Sequence, residues 1–148
     1  HLAAQKPVWE GVADLFKIFA EVPFKQGSLL DATTFMVISE FSRTPALNAS
    51  LGKDHNPFTN SVLLAGKGVK GGTTVGGSRL IPRTKSLSGD PVHIGAPFDF
   101  KRGRIAETRD GASFIFPENV ARTVARIFGD PKGFSSVGLD VPLVPGIA

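Results

Sequence analysis

Thr33-Thr34-Phe35-Met36-Val37-Ile38 decides how this chain is built. β-Branched and aromatic residues fill the run without polar alternation, which predicts a strand covered on both faces, as in a parallel sheet. Ser61-Val62-Leu63-Leu64-Ala65 repeats the pattern, closes on Gly66 and predicts a second central strand. Upstream, Val8, Val12, Leu15, Phe16 and Phe19 recur at helical spacing, with Glu10, Asp14, Lys17 and Glu21 between them. An amphipathic helix is therefore expected from Val8 to Val22, with Pro7 in its first turn and Pro23 as its stop. A closing helix is expected from Pro117 to Phe128, carrying Val120, Val124, Ile127 and Phe128 on one face and ending at Gly129. Helices around short buried strands predict an α/β layer with a mostly parallel sheet. So few strands leave edges that need covering, so residues 1–148 read as the C-terminal portion of one larger domain.

The remainder is irregular. From Gly66 to about Asp110 the chain is rich in Gly and Pro, with Thr73-Thr74-Val75 a candidate edge strand and surface hairpins expected. Gly66-Lys67-Gly68-Val69-Lys70-Gly71 satisfies G-x-G-x-x-G, but a dinucleotide site needs a helix to start there. Gly72-Thr73-Thr74-Val75-Gly76-Gly77 is a poor helix start, so the motif reads as a glycine turn. The tail after Asp130 is expected to be extended.

Composition excludes several classes. The 148 residues carry a formal charge of +4, a sequence pI of about 9.7 and a hydrophobic fraction of 41%. That fraction suits a soluble globular protein. No dense basic run concentrates the charge, so nucleic acid is not an expected partner. Without cysteine there is no disulfide and no thiolate metal site. No apolar run approaches the ~20 residues of a membrane span. The chain opens on His1 and shows no signal peptide.

Chemistry-bearing residues gather between the two strand-like runs. Ser39-Glu40-Phe41-Ser42-Arg43-Thr44-Pro45 leaves the first run, and Gly52-Lys53-Asp54-His55 precedes the second. The connection is longer than most, as functional loops are. A carboxylate at a strand end, Glu40, suits a divalent cation or a general base. Asp54 beside His55 offers the mixed oxygen and nitrogen donors that borderline metals take. Arg43 and Lys53 are candidates for holding a tetrahedral anion. The plain alternative is an ion-pair network among Glu40, Arg43 and Asp54. Ser42 and Thr44 lack a partner base for nucleophilic work. His93 reads as a surface histidine, and His1 carries no assigned role.

These motifs, in this order and spacing, resemble a bacterial sulfatase-like family of unknown function (domain of unknown function 1501) in the alkaline phosphatase superfamily. Its members show S-E-F-G-R-T-P, then G-R-D-H-W, then a strand ending in a glycine turn. The resemblance covers roughly the first half of the chain, and the closing helix follows more loosely. It implies an alkaline-phosphatase-like α/β/α sandwich, with Glu40 and His55 as metal ligands and Asp54 as a ligand or as the partner orienting His55. The divalent metal implied is Zn, Mn, Mg or Ca, and the substrate a small phosphate or sulfate ester. The nucleophile is expected upstream, as is a signal for export to the periplasm. Three positions depart from the pattern: Ser42 for glycine, Lys53 for arginine and Asn56 for tryptophan. The expected function is part of a metal-dependent hydrolase completed by the rest of its own polypeptide. The alternative is a non-catalytic binding or cell-envelope assembly protein on a retired hydrolase scaffold.

Overall fold

Helix α1 (Leu2–Glu21) starts before its apolar periodicity does, so Pro7 lies inside it rather than in its first turn. In the computed structural model, which describes residues 2–82, 90–130 and 140–148, one stripe of this helix is packed. Val12, Phe16 and Phe19 are half-buried. The Phe16 and Phe19 rings meet Phe35 edge-on, with centroids 5.0 and 4.6 Å away. Each such pair adds about 0.5–1.5 kcal/mol beyond burial. Val8, Trp9, Leu15 and Ile18 remain exposed, so only part of the expected apolar face is used. Among the described residues no helix is long and apolar enough to cross a membrane.

The chain then makes a tight hairpin of β1 (Pro23–Phe24) and β2 (Gly27–Ser28). Ser28 caps the short helix α2 (Leu29–Ala32): its hydroxyl accepts from the Asp31 N–H, and its own N–H donates to the Asp31 carboxylate at 2.8 Å. That reciprocal pair satisfies two donors a helix start leaves open.

Next come β3 (Thr34–Ile38), β4 (Ser42–Arg43), β5 (His55–Asn56) and β6 (Val62–Gly66). They form one long interrupted hairpin. β3 pairs antiparallel with β6, from Thr34↔Gly66 to Ile38↔Val62, and β4 with β5, as Ser42↔Asn56 and Arg43↔His55. Between the ladders, residues 39–41 face residues 57–61, so the returning strand carries the slack. The bonds Ser39 N–H to Ser61 O and Ser42 N–H to Thr59 O bridge the interruption.

This overturns the expected α/β/α sandwich with a mostly parallel sheet. A parallel pair requires a crossover, usually a helix. Here the connecting residues pair with each other instead, and the second strand returns beside the first. Every ladder among the described residues is antiparallel. The uninterrupted apolarity of β3 does not mean double coverage either, because Met36 and Ile38 are about half exposed. Gly66 closes the ribbon at φ 93°, and a Cβ there would lie 2.0 Å from the Thr33 carbonyl oxygen. Only glycine permits that approach.

No strand forms at residues 73–75, and no helix follows the glycine run. Two further hairpins do form, β7 (Ser78–Ile81) with β8 (Val92–Gly95), and β9 (Phe98–Asp99) with β10 (Arg104–Ile105). Helix α3 (Pro117–Ile127) closes the set, starting at Pro117 and followed, after Phe128, by Gly129 at φ 88°. Its fully buried residues are Asn119 and Thr123; of the apolar face expected, Val120, Val124 and Ile127 are half-buried and Phe128 is 70% exposed. Asn119 accepts from the Phe116 N–H and donates to the Pro142 carbonyl, and Thr123 takes the Val144 N–H. The last residues are thus stitched to α3 by polar bonds, with Val144 and Phe98 nearly inaccessible. The expected extended tail falls partly on 131–139, outside the described residues. The accessible surface is 10416 Å2, against roughly 7,300 Å2 for a compact monomer of this mass.

Candidate functional site

The tip of the long hairpin has two faces because side chains alternate along a strand. Ser42, Asn56 and their neighbour Thr59 point one way. The Ser42 and Thr59 hydroxyl oxygens are 2.5 Å apart, and the Asn56 amide reaches Thr59 Oγ1 at 3.2 Å. Asn56 is fully buried and also donates to the His93 carbonyl at 2.9 Å, tying the hairpin to β8. Two of the departures from the family pattern, Ser42 and Asn56, therefore build the inner side of the tip.

Phe41, Arg43 and His55 occupy the outer side. Arg43 and His55 are direct cross-strand partners. The His55 ring stacks on Phe41 with centroids 3.9 Å apart and planes at 28°, and the Arg43 guanidinium lies 5.3 Å from the same ring centroid. Arg43 Nη1 donates to the Lys53 carbonyl at 3.1 Å, which places the two expected anion-binding residues side by side. Arg43, Lys53 and His55 are exposed, and among the described residues none forms an ion pair. The network imagined among Glu40, Arg43 and Asp54 does not form.

The loop from Thr44 to Asp54 is shaped by Asn48. Its carbonyl oxygen accepts from the Ser50 and Gly52 N–H groups, and its amide donates to Asp54 Oδ1 at 2.7 Å. Thr44 fastens the loop base, accepting from the Asp54 N–H at its hydroxyl. Leu51, at φ 58°, projects from the turn and is 82% exposed.

The expected metal ligands are not gathered into a centre. Glu40 sits exposed in the bend after β3, Asp54 is engaged by Asn48, and His55 lies on Phe41. Among the described residues no three His, Asp or Glu side chains converge. His93 is not a loop residue: it lies in β8, with Nδ1 3.1 Å from Ser78 Oγ. Sequence reasoning missed Asn48, Asn56, Thr59 and the role of Phe41. The alternation Phe41-Ser42-Arg43 is the signal that places an aromatic ring beside a guanidinium.

Residues 22–94 match the model of a family described as Protein of unknown function (DUF1501). The DUF1501 match runs from the end of α1 into β8, just under half of the chain, and contains the whole hairpin with both faces of its tip. No curated protein and no solved structure matched the chain.

Proposed function

We propose that the β4–β5 tip is the anion-recognition element of a hydrolase acting on phosphate or sulfate esters. One observation carries this reading: Arg43 and His55 sit together on an exposed face against Phe41, without a carboxylate partner. The guanidinium fork matches two oxygens of a tetrahedral anion. Phe41 lies against both the Arg43 guanidinium and the imidazole and holds them on one face. Lys53 adds a second positive charge at the rim. In this role the tip binds and orients the ester's oxyanion and offsets charge that develops on the transferred group. The resemblance to sulfatase-like proteins supports the substrate class. The nucleophile is not assigned to any residue of this chain.

A metal belongs to that resemblance, but the residues present do not fit one. Asp54 is engaged within its loop and Glu40, Asp54 and His55 do not converge, so no step is routed through a metal here. The same observation favours a second reading, an anion-binding protein without turnover on a retired hydrolase scaffold. Calorimetric titration with sodium sulfate should give saturable binding that weakens about tenfold or more in Arg43→Ala, as expected for a hydrogen-bonded charge. Absence of binding would reject both readings. Assayed in the whole polypeptide that supplies the nucleophile, binding together with release of 4-nitrophenol from 4-nitrophenyl phosphate or sulfate, lost in Arg43→Ala, selects the hydrolase; binding without release there selects the second reading.

A further inference from the structure

A cavity of about 190 Å3 lies on the other side of β7–β8, apart from the hairpin tip. Ile81, Ile94 and Phe114 give it apolar walls, and Arg79, Arg109 and Glu107 bring charge. Arg79 and Ile94 are cross-strand partners, so the guanidinium rises directly beside an aliphatic wall. Its Nη1 donates to the Glu107 carbonyl at 2.9 Å and its Nη2 to the Ala106 carbonyl. Those acceptors are neutral, so Arg79 is held in place while its charge stays uncompensated. Arg109 stacks its guanidinium 4.8 Å from the Phe114 ring centroid. No ion pair joins Glu107 to either arginine among the described residues. Among the described lining residues, two guanidiniums and one carboxylate sum to about one net positive charge.

We infer that this cavity is a binding site for a small organic carboxylate with an apolar body. A monoanion matches the net charge, where a dianionic phosphate would exceed it. The apolar walls supply the area a bare inorganic ion cannot use. At ~30 Å3 per water the cavity holds about six waters, which limits the ligand to a single ring or a short chain. Arg109 is the binding residue, because its side chain is exposed and, among the described residues, makes no bond to a backbone carbonyl. Arg79 is a positioning residue that pins the 106–107 backbone and adds charge. Arg79 stands on the β7–β8 ladder, and the Arg109 carbonyl accepts from the Ala112 N–H. A site fixed in this way loses little freedom on binding.

Sodium benzoate is the probe, titrated into the 148-residue chain and followed by amide and arginine Nε–H shifts. Saturable shifts at Gly95, Phe114 and Arg109, with affinity on the order of millimolar, are expected for so small a ligand. Arg109→Gln should weaken binding about tenfold or more, and Arg109→Lys less. Neutral benzyl alcohol should bind at least tenfold more weakly than benzoate, and inorganic phosphate should not compete at equal concentration. Retained amide shifts outside the cavity establish that the variants fold, and Arg109→Lys serves if Arg109→Gln does not. Absence of saturable shifts would overturn the site. So would equal affinity for benzyl alcohol, equal competition by phosphate, or undiminished binding in the folded Arg109 variant.

Discussion

Helix α1 with the β3–β6 ribbon, and the region around Phe98, α3 and the last residues, are built on opposite terms. The first is rich in apolar side chains and buries few: Trp9, Ile18, Met36 and Ile38 are each at least half exposed, and nothing from residue 5 to residue 55 is fully buried. The second buries little apolar volume but seals it with Asn119, Thr123 and Val144. Apolar composition alone therefore does not locate the core. Burial follows where backbone donors and acceptors can also be satisfied, and α3 offers that through its two buried polar side chains. The ribbon instead packs its root on α1, through Phe35 against Phe16 and Phe19, and carries Phe41, Arg43 and His55 at its tip.

The sharpest break in this comparison comes from truncation. Phe98→Ala should cost about 3–5 kcal/mol in denaturant unfolding, because the ring is 1% exposed. Ile18→Ala, from the exposed side of α1, should stay within about 0.5 kcal/mol of the parent. Equal losses would mean that the two regions are not built differently. A smaller but more local effect is expected at their junction. Asn56→Ala removes the side-chain donor to the His93 carbonyl and one partner of Thr59 Oγ1, and should cost about 1–3 kcal/mol. Amide exchange should speed up in β5 and β8 together; speeding confined to β5 would show that Asn56 does not join them.

The smallest effect is on the acid limb. Hydrogen bonds from Ser28, backbone first and then hydroxyl, hold the Asp31 carboxyl below its usual value, and the Arg102 and Lys101 N–H groups do the same for Asp99, with the Arg102 side chain assisting. Because the folded values are depressed, this stabilisation is complete above the ordinary carboxylate value of about 3.9. It is lost as pH falls through the folded values. Thermal midpoints followed from about pH 5 downward should drop less steeply in the Asp31→Asn, Asp99→Asn double variant. An unchanged slope would remove these two groups from the account.

The positions of β3 and β6 were legible in the sequence, β3 from its β-branched and aromatic density and β6 from a short apolar run closed by glycine, each within a residue of its observed bounds. Their direction was not legible. It is set by β4 and β5, two residues each, too short to show a period. Helix α3 was legible from Pro117 and Gly129, but its buried face was not, since Asn119 and Thr123 read as surface residues until the Pro142 carbonyl and Val144 N–H are placed against them. Arg43, Lys53 and His55, picked out from one stretch of sequence, lie side by side at the tip. Local spacing does not report convergence, and among the described residues Glu40, Asp54 and His55 do not converge.

The central claim is that an oxyanion docks on Arg43 and His55 over Phe41. Side-chain NMR of His55 and the Arg43 Nε–H at fixed pH and ionic strength, with sodium sulfate replacing sodium chloride, tests it most directly. Saturable shifts of both groups with one common midpoint, abolished in Arg43→Ala at the His55 ring, are the expected result. Shifts that grow linearly without saturation, or that survive unchanged in Arg43→Ala, would contradict it.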